Sequence, residues 1–324
     1  MKFLIIGFGS VGRRHFRNLL ELGERDILFY RTNQSTIPDA ELSDFQIETD
    51  LVTALAQKPD GVIIANPTAF HLDGAIPAAQ QGCHILLEKP VSHSMDRVEE
   101  LSQIAQQTGS KILVGFQFRF HPNLQQIKKL LDDQVIGRTI SFRSHWGEYL
   151  PSWHPWEDYR ESYSARKDLG GGVLLTLSHS MDYLRWLFGE GIVQSSLLGY
   201  TGLELDVEDT AEVAIVFGED IIGSMHLNFT QQPQKHTLEI IGTRGSIYWD
   251  YYQNVVDYFR FDGTHEISHD ILLSPPDFDR NQLFLDELKH FIQVVKGEIN
   301  PICDLQDGIK ALKLTLDAKT KTQN

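Results

Sequence analysis

Fully apolar runs alternate with amphipathic stretches along the first third of the chain. The runs KFLIIGFG (2–9), DILFYRT (26–32), GVIIANP (61–67), HILLEKP (84–90) and KILVGFQFR (111–119) read as strands buried on both faces. Between them, GRRHFRNLLELG (12–23), LVTALAQ (51–57), AFHLDGAIPAAQQG (69–82) and SMDRVEELSQIAQQTG (94–109) read as covering helices. That alternation predicts an α/β domain over 1–120 with a doubly wound parallel sheet. Beyond it the period changes: TISFRSHWGEY, TAEVAIVF, IIGSMHLNFT, HTLEIIGTRGSIYWDYY and VVDYFRF alternate with period two. This predicts a second domain over 121–324, of α+β type, with a large, mostly antiparallel sheet packed on one face. Helices over 279–297 and 304–321 close the chain, and no repeat or low-complexity linker interrupts it.

Composition narrows the function. The 324 residues are 41% hydrophobic and 23% charged, an ordinary globular balance, but the net charge of -15 repels phosphate backbones and anionic lipid. Nucleic-acid and membrane-surface roles are therefore not expected, and a small-molecule partner is. No window reaches a membrane span and the N-terminus shows no cleavage pattern, so a soluble, cytoplasmic protein is expected. Cys83 and Cys303 stand alone, without disulfide or zinc-site spacing, so no metal is expected.

The first chemical motif is GFGSVG, lying between a strand and a helix. Gly7 permits the turn, Gly9 admits a pyrophosphate to the backbone, and Gly12 allows close helix packing at a helix N-terminus that favours anions. Dinucleotide binding follows, with Phe8, Ser10 and Val11 in the same loop. Where an acid would hold the ribose of NAD(H), the second strand ends Tyr30-Arg31-Thr32-Asn33-Gln34-Ser35. Arg31 and Thr32 suit a 2′-phosphate, which favours NADP(H), with NAD(H) as the alternative. In an open parallel sheet the ligand lies outside the strand carboxyl ends, where Asn66, Pro67 and the Glu88-Lys89-Pro90 turn fall. Lys89 is thus expected near the nicotinamide, polarising a carbonyl or alcohol oxygen or donating a proton. The cofactor contacts expected here are completed by His71, Glu88 and Lys89 itself.

With GFGSVGRRH, NPTAFHLDGAIPAAQQGCHILLEKP, FRFHP and GGGVLLTLSHSMDYLRWLFG in place, the chain resembles the glucose-fructose oxidoreductase, inositol dehydrogenase and rhizopine catabolism (Gfo/Idh/MocA) family of NAD(P)-dependent oxidoreductases over nearly its whole length. The resemblance implies a Rossmann domain followed by a domain whose open sheet assembles homodimers or homotetramers. It also implies hydride transfer to or from a sugar, polyol, sugar acid or derivative, with Lys89 at the reacting oxygen and a cis peptide before Pro90. A weaker resemblance of the 148–172 segment is to members in surface-glycan sugar pathways.

The second constellation is DLGGGVLLTLSHSMDYLRW (168–186), in which three glycines lead into one amphipathic helix carrying Thr176, His179, Asp182 and Trp186 near one face. His179 is the expected acid/base, with Asp182 orienting it or meeting substrate. Many relatives place an aspartate four residues before this histidine; Leu175 stands there instead, with Thr176 beside it. That departure motivates the alternative of a dinucleotide-binding sensor or assembly subunit without catalysis. Substrate contacts are expected from Lys89, Arg119, Trp153, Tyr163, Arg166 and Asp182. The segment 148–172, with Trp156, Arg160 and Lys167, reads as a binding loop whose cations suit an anionic carbohydrate.

Overall fold

The computed structural model describes residues 1–32, 40–155, 157–261, 263, 267–276 and 278–322, so Asn33, Gln34, Ser35 and Trp156 lie outside the described residues. The chain forms two compact units, Met1–Gln117 with Asp279–Leu312, and Phe118–Phe278 with Lys313–Asn324.

In the first unit the chain runs β1 (Lys2–Ile6), α1 (Ser10–Glu21), β2 (Asp26–Tyr30), β3 (Gln46–Glu48), α2 (Leu51–Ala56), β4 (Gly61–Ile64), α3 (His71–Gln80), β5 (His84–Glu88), α4 (Val98–Thr108) and β6 (Ile112–Gly115). The six strands are all parallel in the order β3-β2-β1-β4-β5-β6. Winding reverses between β1 and β4, so their loops open a crevice at the strand ends. Every residue of β4 is buried, as continuous apolar strands require. Strand β3 was not expected; its three residues, Gln-Ile-Glu, are too short and polar to register as a hydrophobic run.

The second unit continues with α5 (Pro122–Asp132), β7 (Thr139–Tyr149), α6 (Val173–Thr176), α7 (His179–Phe188), β8 (Gly191–Gly199), β9 (Thr210–Phe217), β10 (Ile221–Asn228), β11 (Thr230–Gly242), β12 (Gly245–Asp250), β13 (Val255–Phe261) and β14 (Ile267–Leu273). Its eight strands order as β14-β13-β12-β11-β7-β10-β9-β8, antiparallel except for β7 beside β10. The alternation seen in β9 puts Ala211, Val213, Ile215 and Phe217 into the core. The opposite face leaves Ile192, Leu197, Ile222, Tyr248, Ile271 and Leu273 exposed.

Two expectations change. The single helix read after the glycines is two helices, α6 and α7, separated by a turn at Leu177 and Ser178, and His179 opens α7. The second unit also differs from a continuous 121–324 stretch. Helix α8 (Arg280–Val295) returns to the first unit, where Phe291 meets Phe3 at 6.3 Å and Asn281 exchanges hydrogen bonds with Asn18. The chain-closing α9 (Leu305–Thr320) belongs to the first unit up to Leu312 and to the second beyond it.

Candidate active site

The glycine loop is built for close approach. Gly7 sits at φ +93°, and a Cβ there would lie 2.6 Å from the Asn66 amide nitrogen, so the β1 and β4 loops touch backbone to backbone. A Cβ on Gly12 would meet the Gly7 carbonyl at 2.2 Å. Above Gly9 nothing lies within 4 Å, and this residue caps α1 without any side-chain hydrogen bond. Open space over an uncapped helix N-terminus, with the buried Asn66 Oδ1 beside it lacking a partner among the described residues, fits a dinucleotide pyrophosphate. Ser10 is exposed and Val11 half-buried at that helix start.

Phe8 faces away from this opening into the core, edge-on to Phe16 at 5.9 Å and Phe29 at 5.3 Å. Its ring carries two cations, the guanidinium of Arg13 at 4.7 Å and that of Arg31 at 5.6 Å. Arg31 is buried, its backbone donating to Glu48, whereas Thr32 is exposed. The nearby acids are engaged. Glu41 accepts from Arg17 at 2.8 and 2.9 Å and from Arg13, and the Arg17 hydrogen bond holds it below the usual carboxylate range. Glu48 accepts from Gln46 at 2.8 Å and Gln57 at 3.1 Å.

His71 is buried between two loops of the expected cofactor site. Its Nδ1 lies 2.8 Å from the Pro90 carbonyl and its Nε2 3.0 Å from that of Asn66. Two acceptors favour a charged ring, but burial wins and depresses its pKa to about 4. The neutral ring donates to only one of these carbonyls, and packed between the Asn66-Pro67 turn and the cis Lys89-Pro90 turn it has a positioning role.

At the end of β5, Glu88 turns inward and Lys89 is half-buried. Glu88 Oε1 accepts from His15 Nε2 at 2.7 Å and Oε2 from the Lys89 amide at 3.3 Å. Burial pushes this carboxyl up, yet the His15 hydrogen bond and the charges of His15 and Lys89 outweigh it and hold Glu88 below the usual range. The strand thus ends in an acid aimed down and a base at the rim, on opposite sides as period two requires.

In the second unit, Arg119 and Asp182 form a bidentate pair, with Nε to Oδ2 at 2.9 Å and Nη2 to Oδ1 at 2.7 Å, and both are buried. These two residues, both expected at substrate, are paired with each other, and the pair fixes α7 to the segment before α5. His179, at the start of that helix, packs against Phe118 at 5.1 Å and Trp146 at 5.9 Å. Leu175 and Thr176 are buried on α6, off the α7 face that carries His179.

The 148–172 segment is a series of single 3-10 turns, as irregular as expected. Trp153 packs edge-on to Phe229 at 5.7 Å, and Tyr163 is half-buried. The cations do not pool: Arg166 pairs with Asp168 at 2.6 Å and Arg160 with Asp158 at 3.5 Å. Sequence reasoning missed two features. One is Glu287 of α8, wholly buried beside Glu88 and His15. The other is His236, stacked on Trp146 at 4.2 Å and 3.2 Å from the Tyr183 hydroxyl. Neither lies in a motif, and only the fold joins them to the residues that do.

Comparison with known proteins extends this picture. The chain is 29% identical over 284 residues to scyllo-inositol 2-dehydrogenase (NAD(+)) of Bacillus subtilis, covering 82% of this chain and 76% of the relative. It is 26% identical over 254 residues to 2,7-anhydro-N-acetylneuraminate hydratase of Mediterraneibacter gnavus, covering 76% of this chain. The chain spans 60% and 66% of the length of the first curated relatives it matches. Among solved structures, levoglucosan dehydrogenase in complex with NADH and levoglucosan superposes with a TM-score of 0.85 at 20% identity, covering 99% of this chain and 96% of that one. Residues 1–116 match the oxidoreductase family with an NAD-binding Rossmann fold, and residues 124–248 match the Gfo/Idh/MocA C-terminal domain. With both halves matched in chain order, this chain belongs to the Gfo/Idh/MocA family of oxidoreductases.

Proposed function

We propose that the chain is an NAD(P)-dependent oxidoreductase that moves a hydride between nicotinamide and a hydroxyl or keto carbon of a sugar, polyol or sugar derivative. The observation that carries it is the glycine loop, open above Gly9 and too tight at Gly7 and Gly12 for any side chain. The relatives named for inositol and levoglucosan oxidation support the substrate class. The nicotinamide, when bound, supplies the hydride acceptor or donor.

In this reading Gly7, Gly9, Gly12, Ser10, Val11 and Asn66 bind the dinucleotide, and Pro67, His71 and Glu88 shape the turns that carry it. Lys89 donates a hydrogen bond to the reacting oxygen and stabilises charge that develops there. His179 takes or returns the hydroxyl proton. The Arg119–Asp182 pair holds the helix bearing His179, while Trp153 and Tyr163 offer ring surfaces to the sugar. Arg166, already neutralised by Asp168, gives little reason for an anionic substrate over a neutral one.

NADP(H) is favoured over NAD(H). Arg31 stands at the end of β2, and the adjoining carboxylates, Glu41 and Glu48, already accept from other side chains. Where an acid would accept from a ribose 2′-hydroxyl the strand ends in Arg31, whose charge suits a 2′-phosphate. Titration of the purified protein with NADPH and NADH tests this: tighter NADPH binding that weakens toward NADH affinity in Arg31→Ala is expected. Equal affinity that Arg31→Ala leaves unchanged would remove Arg31 from the site.

The hydratase relative raises a second reading, a reaction without net redox. Stoichiometric release of reduced cofactor with an oxidisable sugar excludes it, and turnover without any release supports it. For assembly, we propose a homodimer or homotetramer through the apolar outer face of the eight-stranded sheet.

A further inference from the structure

Glu287 is the least explained charge-bearing side chain in the first unit. It is 0% exposed, and neither carboxyl oxygen has a hydrogen-bond partner among the described residues. It projects from α8 into a group with His15 of α1 and Glu88 of β5, whose ligating atoms all lie within 4.8 Å of one another. Two buried carboxylates at that separation, both ionised, would repel strongly in a medium of low dielectric. Their environments differ: Glu88 has the His15 hydrogen bond and the Lys89 amide, and Glu287 has neither.

We propose that Glu287 is held as a neutral acid whose hydroxyl faces the Glu88 carboxylate, and that this protonated Glu287 is a positioning residue for the Glu88-Lys89 turn. The charged and titratable groups facing the pair are His15 from α1 and Lys89 at the end of β5, which favour the ionised form of Glu88, and the buried His71 from α3. Burial, followed by the Glu88 charge, pushes the Glu287 carboxyl well above its usual range, in agreement with the geometry. Glu88 Oε2 lies over Gly115 of β6, where any Cβ would crowd it at 3.2 Å, so the glycine leaves the carboxylate its space. A neutral donor on its remaining side holds it where Lys89 is fixed one residue later. A metal ion explains the group less well: His15 Nε2 and Glu88 Oε1 are 2.7 Å apart, whereas donors around a tetrahedral ion at ~2.1 Å stand about 3.4 Å from each other.

The functional half of the proposal rests on the role given to Lys89; the protonation half does not. The experiment compares thermal unfolding of the wild type and Glu287→Gln from pH 5 to 8. A group whose folded pKa is raised gives stability that is full below its unfolded value and is lost as pH rises toward the folded one. The wild type is therefore expected to lose stability with rising pH relative to Glu287→Gln, which has no proton to lose. Infrared spectra of the wild type at neutral pH should show a protonated carboxylic acid band that Glu287→Gln lacks. Glu287→Leu, which cannot donate, should turn over about tenfold more slowly than Glu287→Gln. Greater destabilisation of Glu287→Gln as pH rises, absence of the acid band, or one equivalent of divalent metal in the purified protein would each overturn the protonation claim. Equal turnover of the Leu and Gln variants would overturn the positioning claim. If the wild type turns over no sugar, the proposed function fails while the unfolding and infrared results still decide the state of Glu287.

Discussion

Burial decides what each imidazole can do. His71 and His121 are both enclosed, and burial lowers their pKa values from 6.5 to about 4 and about 3. Because the folded values lie below the unfolded one, the unfolded chain takes up protons first as pH falls. The stability these rings contribute is full above pH 6.5 and is lost as pH drops toward 4 and 3. Each is worth on the order of 3 to 5 kcal/mol over that window. Acid unfolding followed from pH 7 to 4 should show a falling melting temperature, and His121→Asn should flatten the slope. Asparagine keeps the cap that His121 Nδ1 provides by accepting from the Asn123 amide at 3.2 Å, while removing the titration. An unchanged slope would mean that other groups govern acid sensitivity. At this scale much was legible: Glu88, Lys89, His179, Arg119 and Asp182 all stand out by type and position. Their pairing was not, because the Arg119–Asp182 contact joins residues 63 apart and depends on where α7 docks.

Among the elements, the glycine loop was the most legible, since its demands are local to a strand, a turn and a helix start. It separates folding from binding in a testable way. Gly9→Ala meets open space, so its melting temperature should stay close to that of the wild type while dinucleotide affinity falls. Gly12→Ala drives a Cβ into the Gly7 carbonyl and should cost about 1 to 3 kcal/mol of stability as well as affinity. Calorimetric binding and unfolding on both variants check this; retained affinity in Gly9→Ala would move the pyrophosphate elsewhere. The α6–α7 break was illegible because neither Leu177 nor Ser178 is a helix breaker, and apolar periodicity continues through them. Helix α8 was legible as a helix but not in its destination: its apolar face could cover either sheet, and Glu287 gains meaning only beside β5.

For the whole chain, the period-two pattern identified the second sheet and left its outer face unexplained. Exposed Ile192, Leu197, Ile222, Tyr248, Ile271 and Leu273 on one sheet face are costly in water for a monomer. Sedimentation of the wild type should report a dimer or tetramer, and Ile222→Glu should shift it toward monomer; a wild-type monomer at micromolar concentration would leave that face without the proposed partner. The charge of -15 is compatible with such an assembly only if apolar contact dominates there. In the proposed reaction, hydride transfer depends on Lys89. This dependence is tested most directly by oxidation of a panel of polyols and sugars by Lys89→Met, with cofactor affinity measured on the same sample. Cofactor binding near that of the wild type, with turnover reduced by about 10²-fold or more, is expected. Wild-type turnover by Lys89→Met would contradict it.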